Sequence, residues 1–119
     1  MSHLKEPVVI NFTVFDRANN DYALIFNAPF LFTFNERFLG SYGWIPDTTS
    51  MGADVLYNIR NETKNTAIGR MDIIKNTGEI IFNTTNSLPV FISADDVITI
   101  RSPATQSIGV FGVSLIGER

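Results

Sequence analysis

The stretch VVINFTVF, residues 8–15, decides how the rest of the chain is read. Its apolar residues Val8, Ile10, Phe12 and Val14 recur at every second position, opposite Val9, Asn11, Thr13 and Phe15. Successive Cβ atoms of an extended chain point to opposite sides, so this spacing seals one face of a strand and leaves the other wetter. The same period returns in Phe30, Phe32 and Phe34, and again in Val55, Tyr57 and Ile59. Further segments of this kind are 22–27, 66–74, 79–83, 90–92, 97–101 and 108–116, rich in the β-branched and aromatic side chains that suit a pleated surface. No window carries a 3.6-residue apolar stripe of helical length. The chain reads as all-β.

Turn chemistry falls between these segments. Asn19, Asn20 and Asp21 separate the first two, and 61–65, 76–78, 93–96 and 102–106 separate later ones, with asparagine and glycine supplying left-handed backbone at low cost. Eight or nine short strands then predict an antiparallel two-sheet sandwich, jelly-roll-like, with a small closed β-barrel as the alternative. At 119 residues and 13.3 kDa, residues 1–119 fit one domain. Its folded surface should be roughly 6,500 Å². Residues 1–7 read as a flexible tail and 8–27 as a docking or assembly segment. The segment 108–116 is apolar on both sides, with Ile108, Val110 and Ile116 opposite Phe111, Val113 and Leu115. Burial of both faces calls for another layer, the N-terminal segment or a second copy. Together with ten phenylalanines, this predicts a homo-oligomer whose interface draws on Val8, Ile10, Phe12, Phe111, Val113 and Leu115.

Composition excludes several chemistries. With 45% hydrophobic and 18% charged residues, the chain is not disordered as a whole. A net charge of −3 argues against binding to nucleic-acid phosphates. Arg60, Lys64, Arg70 and Lys75, interspersed with Glu62 and Asp72, read as a solvated face. Without cysteine there is no disulfide, thiolate nucleophile or sulfur-ligated metal, and the single histidine is His3. Histidine-assisted nucleophilic catalysis therefore lacks its base. The carboxylates Asp47, Asp54, Glu62, Asp72, Asp95 and Asp96 sit in no catalytic motif. Asp16, Asn19, Asn20 and Asp21 offer too few oxygens for calcium and read as turn residues. The sequons at Asn11, Asn61 and Asn83 are what an asparagine-rich chain produces by chance. The expectation is no enzyme, no cofactor and no metal. The opening residues lack the apolar core of a signal peptide, and no run approaches the ~20 residues of a spanning helix, so membrane insertion and a sequence-encoded export route are not expected.

The segment ERFLGSYGWIPDTTSMG, residues 36–52, stands out. Tyr42 and Trp44, with Arg37 and Asp47 nearby, supply aromatic faces for the apolar side of a pyranose and polar groups for its hydroxyls. Three readings compete: a buried Trp44 with its indole N–H satisfied, an anchor for a subunit or virion contact, and a glycan site.

The C-terminal run DVITIRSPATQSIGVFGVSLIGER, residues 96–119, passes from a strand through Ser102, Pro103, Ala104 and Thr105 to a last alternating strand ending on Arg119. With the short strands at 54–59, 69–74 and 79–82, and the 38–43 segment followed by Pro46, it resembles a β-sandwich domain of bacteriophage and prophage tail or fibre proteins over about residues 28–119. The first 27 residues have no counterpart there, and Trp44 is an addition to the pattern. The resemblance implies a non-enzymatic virion component, a tail-fibre or surface-appendage module, assembled as a trimer or with other virion proteins and attached to host-surface glycan. The alternatives are a capsid or tail decoration protein and a stand-alone carbohydrate-binding module.

Overall fold

The computed structural model describes residues 6–14, 22–49, 51–102 and 108–119. Among them are ten strands: β1 (Pro7–Val14), β2 (Tyr22–Asn27), β3 (Phe32–Phe34), β4 (Tyr42–Trp44), β5 (Val55–Asn61), β6 (Thr66–Ile73), β7 (Ile80–Thr84), β8 (Val90–Ile92), β9 (Val97–Arg101) and β10 (Phe111–Glu118). The first sheet runs β1-β10-β3-β8, with β4 also paired to β10; the second runs β2-β9-β5-β6-β7. All pairings are antiparallel, and the sheets pack as a sandwich that does not close into a barrel.

The stretch that opened the reading becomes β1. It pairs along its whole length with β10, from Pro7 opposite Glu118 to Val14 opposite Phe111, without a register shift. A two-residue period then fixes every side chain: Val8, Ile10 and Val14 are buried, while Val9, Asn11 and Thr13 face out. On β10 the buried set is Phe111, Val113 and Leu115. Opposite them lie Tyr57 and Ile59 of the central strand β5, and Ile98 and Ile100 of its neighbour β9, each fully enclosed. Phenylalanine rings string through this interior edge to face. Phe32 meets Phe26, Phe30 and Phe34; Phe34 meets Phe38, and Phe38 meets Phe82, at centroid distances between 5.0 and 6.4 Å. Each such pair contributes about 0.5–1.5 kcal/mol beyond the area it buries.

This packing accounts within one protomer for most of the residues read as an assembly interface. Val8, Ile10, Phe111, Val113 and Leu115 are covered by the opposite sheet of the same chain, and Phe12 is partly buried against that core. Those five side chains are taken up inside the protomer, and Phe12 is the one of the six that keeps partial exposure. The ring series takes in six phenylalanines, Phe111 packs edge to face on Tyr57, and Phe91 stands 72% exposed on β8. Within the range read as a docking or assembly segment, β1 and β2 are integral strands of the two sheets, and residues 15–21 lie outside the described residues. The N-terminal segment does not cover β10; it lies beside it and widens the sheet. The flexible-tail reading overreaches at its end, since Glu6 O accepts from Arg119 N at 2.8 Å and Pro7 opens β1. The turn residues read at 16–21 and most of the 102–106 loop lie outside the described residues. The whole surface is 6831 Å², close to the value expected for a chain of this mass folded by itself.

The turn before β9 is pinned by a buried carboxylate. Asp96 accepts from Asn61 Nδ2 at 2.9 Å, Ser93 N at 2.9 Å and Lys64 Nζ at 3.1 Å, while Asp95 holds the left-handed backbone, φ 72°. Burial pushes the Asp96 carboxyl up, but the bonds from Asn61, Ser93 and Lys64, with the Lys64 charge, outweigh it and hold the group below 3.8.

Candidate functional site

A tight reversal delivers β4. Arg37 and Phe38 take left-handed backbone, φ 56° and 51°, and Gly40 follows at φ 93°. Ser41 N donates to Phe38 O at 2.9 Å, and Ser41 Oγ accepts from Ile116 N at 2.7 Å, tying the turn to β10. Strand β4 then pairs with β10: Tyr42 opposite Ser114, Gly43 opposite Val113 and Trp44 opposite Gly112.

Gly43 takes the inward position of β4. A Cβ there would stand 2.8 Å from Ile80 Cδ1, 3.1 Å from Gly112 O and 3.3 Å from Val113 Cγ2, so only glycine lets the strand approach this closely. Its neighbours consequently both turn outward, leaving Tyr42 69% and Trp44 59% exposed. The indole is held in place: Trp44 Nε1 donates to Thr77 O at 3.3 Å, and Ile45 N donates to Gly78 O at 2.9 Å. Gly78 has φ 76°, and a Cβ there would collide with the Ile45 carbonyl. Through its bridge to Glu79, Trp44 also links β4 to the strand region of the second sheet.

Registers on both sides of β10 define two rows across the outer face, Trp44–Gly112–Thr13 and Tyr42–Ser114–Asn11. They enclose a shallow groove of about 640 Å³. Aromatic rings form one bank, Gly112 and Ser114 the floor, and Asn11 and Thr13 the other bank; none of the lining residues is charged. Ser114 Oγ donates to Asn11 Oδ1 at 2.6 Å. That bond uses the amide oxygen and leaves the Asn11 Nδ2 hydrogens for a further acceptor.

The sequence quartet therefore divides. Tyr42 and Trp44 share the groove, while Arg37 and Asp47 are not among its lining residues. Arg37 sits in the reversal, its backbone N–H donating to Thr84 Oγ1 at 2.9 Å. Asp47 accepts from Thr49 Oγ1 at 2.7 Å and Thr49 N at 2.9 Å, and these two bonds hold its carboxyl below 3.8. Of the open readings for Trp44, the buried-core one is overturned, because its indole lies on the surface. Asn11, Thr13 and Ser114 were not read as site residues. The signal was present in the outward set of residues 8–15, but it needed the pairing of the first and last strands to become visible.

Other polar groups are engaged in the scaffold. Arg60 meets Glu62 and Arg70 meets Asp72, each at 3.2 Å, and Asp54 Oδ1 accepts from Lys75 N at 2.9 Å. Among the described residues no three His, Cys, Asp or Glu side chains gather as a metal would require, and no helix is long and apolar enough to cross a membrane. A second depression of about 370 Å³, lined by residues including Asn58, Arg70, Asn83 and Asn86, lies across β5, β6 and β7. No protein-family model, no curated protein and no solved structure matches the chain. What fold and groove define is an antiparallel β-sandwich presenting an aromatic, uncharged surface cleft.

Proposed function

We propose that the protein is a non-enzymatic recognition module of a bacteriophage virion, a tail-fibre or surface-appendage component that attaches to host-surface glycan through the Tyr42–Trp44 groove. One observation carries this reading: two aromatic side chains stand exposed on one face of β4, held over a floor of glycine and serine. Exposed rings of this size leave apolar area in water that a partner surface removes favourably, at roughly 25 cal/mol per Å². The C–H face of a pyranose is such a surface, and its hydroxyls find hydrogen-bonding partners on the opposite bank. An open cleft suits a segment of a long polymer better than a small molecule that must be enclosed. The virion setting is supported by the resemblance of residues 96–119, the run that builds β9 and β10.

A glycan array probed with the purified chain tests the reading. Hits are expected among glycans of the native host, lost on Trp44→Ala; a clean negative on those glycans overturns it. Phe91 favours a second reading, a capsid or tail decoration protein, since a ring 72% exposed on an edge strand is a ready contact for another protein or copy. Light scattering separates the two: assembled particles that dissociate on Phe91→Ser support the decoration role, and a monomer removes self-assembly through this ring.

A further inference from the structure

Resting on the glycan reading, we infer that the groove takes a neutral polysaccharide chain laid along the strand direction, with Asn11 and Ser114 reading its hydroxyls. The lining contains no charged side chain, and the whole chain carries −3. A carboxylate, sulfate or phosphate entering it would lose hydration without gaining a cation. The hydrogen-bonding inventory agrees. The Ser114–Asn11 bond leaves an amide donor beside a hydroxyl oxygen that still accepts. A sugar hydroxyl, which both donates and accepts, uses both; an ionised acid accepts only.

Direction follows from the register. Neighbouring strands lie about 4.8 Å apart, so the β4 and β1 banks are separated by about 10 Å, and residues two apart on a strand are separated by about 6.6 Å. A pyranose seated between the banks rests its C–H face on a ring and turns its edge to Asn11 or Thr13. A chain running parallel to β4 then meets Tyr42 and Trp44 in succession, whereas one running across the strands meets a single aromatic row.

Gly112 makes the inference testable without harming the fold. A Cβ on this floor residue has Phe12 O, 4.0 Å away, as its one near neighbour. Valine there fills the groove and suits a strand. The full chain is titrated with neutral polymers (dextran, mannan, mixed-linkage glucan) and acidic ones (dextran sulfate, alginate, hyaluronan) at about 50 mM and about 500 mM salt, across which charge screening changes strongly. Binding to a neutral polymer is expected, with affinity changing less than about twofold between the two salts. Gly112→Val is expected to lower it by at least about tenfold and Asn11→Ala by up to about tenfold, while Arg37→Ala and Asp47→Ala stay within about twofold. Salt-sensitive binding confined to acidic polymers, yet lost on Trp44→Ala, overturns the neutral-chain inference and leaves the glycan reading standing. Failure to bind any neutral polymer overturns the neutral-chain inference, and the glycan reading is then decided by the host-glycan array. Wild-type affinity in folded Gly112→Val moves the site away from this groove.

Discussion

On the second sheet, the outward side chains of β5 and β6 include Arg60 and Arg70, each lying against a carboxylate, while Thr99 of β9 donates to Glu62. On the first sheet, the face running from Asn11 and Thr13 through Gly112 and Ser114 to Tyr42 and Trp44 holds no charge and keeps two large rings in water. Both faces lie over the same core, so folding imposes similar demands on them. They differ in charge and in exposed aromatic area, and on the proposed function that difference separates a solvated surface from a contact surface. Exposed ion pairs are worth about 0–1 kcal/mol and satisfy one another. Exposed aromatic rings have no such partner, and the structure goes to some length to present them, with glycine at 43 and a left-handed glycine at 78.

Substitutions can sharpen or break that contrast, beginning with the inward side of the recognition face. Leu115→Ala should cost about 3–4 kcal/mol of protomer stability in urea unfolding, as for a fully enclosed leucine. Dissociation of copies with unchanged protomer stability would instead support the assembly role read from the sequence. Trp44→Ala should weaken glycan binding by about a hundredfold, as loss of a central aromatic anchor does, with less than about 1 kcal/mol lost in stability. Arg70→Ala on the other face should leave binding unchanged. Gly43→Val should destabilise by roughly 1–3 kcal/mol through overpacking against Ile80 and Val113, whereas Gly112→Val, one strand away and facing outward, should lie within about 0.5 kcal/mol.

Acid titration distinguishes a buried charge from an exposed one. Hydrogen bonds from Asn61, Ser93 and Lys64 hold the folded Asp96 carboxyl below the ordinary carboxylate value, so the unfolded chain takes up that proton first. Its contribution to stability is full above the unfolded value and is lost as pH falls through the folded one. Asp96→Asn should therefore lower stability at neutral pH by about 1–3 kcal/mol and flatten the acid limb of a Tm-versus-pH curve. Asp47, exposed in its own turn, should leave that limb almost unaltered when replaced by asparagine. The smallest expected effect is Arg70→Ala on stability, within about 0.5 kcal/mol.

Short runs of β-branched and aromatic residues bounded by turn residues were legible as strands: β2, β8 and β9 occupy the segments 22–27, 90–92 and 97–101 read from the sequence. Strand β4 was not, because Tyr-Gly-Trp inverts the usual pattern, with nothing but glycine facing in and the rings facing out. The two-sided apolarity of 108–116 also misled. Ile108 precedes β10 and is buried outside its alternation, so β10 itself has one dry face. Tyr42 and Trp44 could be picked out by residue type, but Arg37 and Asp47 were added by sequence proximity, which the left-handed backbone at Arg37 and Phe38 and the Asp47–Thr49 bonds undo. Asn11 and Ser114 were hidden for the opposite reason. Their hydrogen bond joins residues 103 positions apart, and only the β1–β10 register brings them together.

Trp44 is the single tryptophan of the chain, so intrinsic fluorescence reads the groove without a label. Acrylamide quenching of the purified protein, alone and saturated with a bound neutral polysaccharide, is the most direct measurement of the claim. The account predicts red-shifted, readily quenched emission from the free protein, and a blue shift with protection from quenching when the glycan is bound. Emission already blue and shielded in the free protein, or glycan binding that leaves Trp44 as accessible as before, would contradict it.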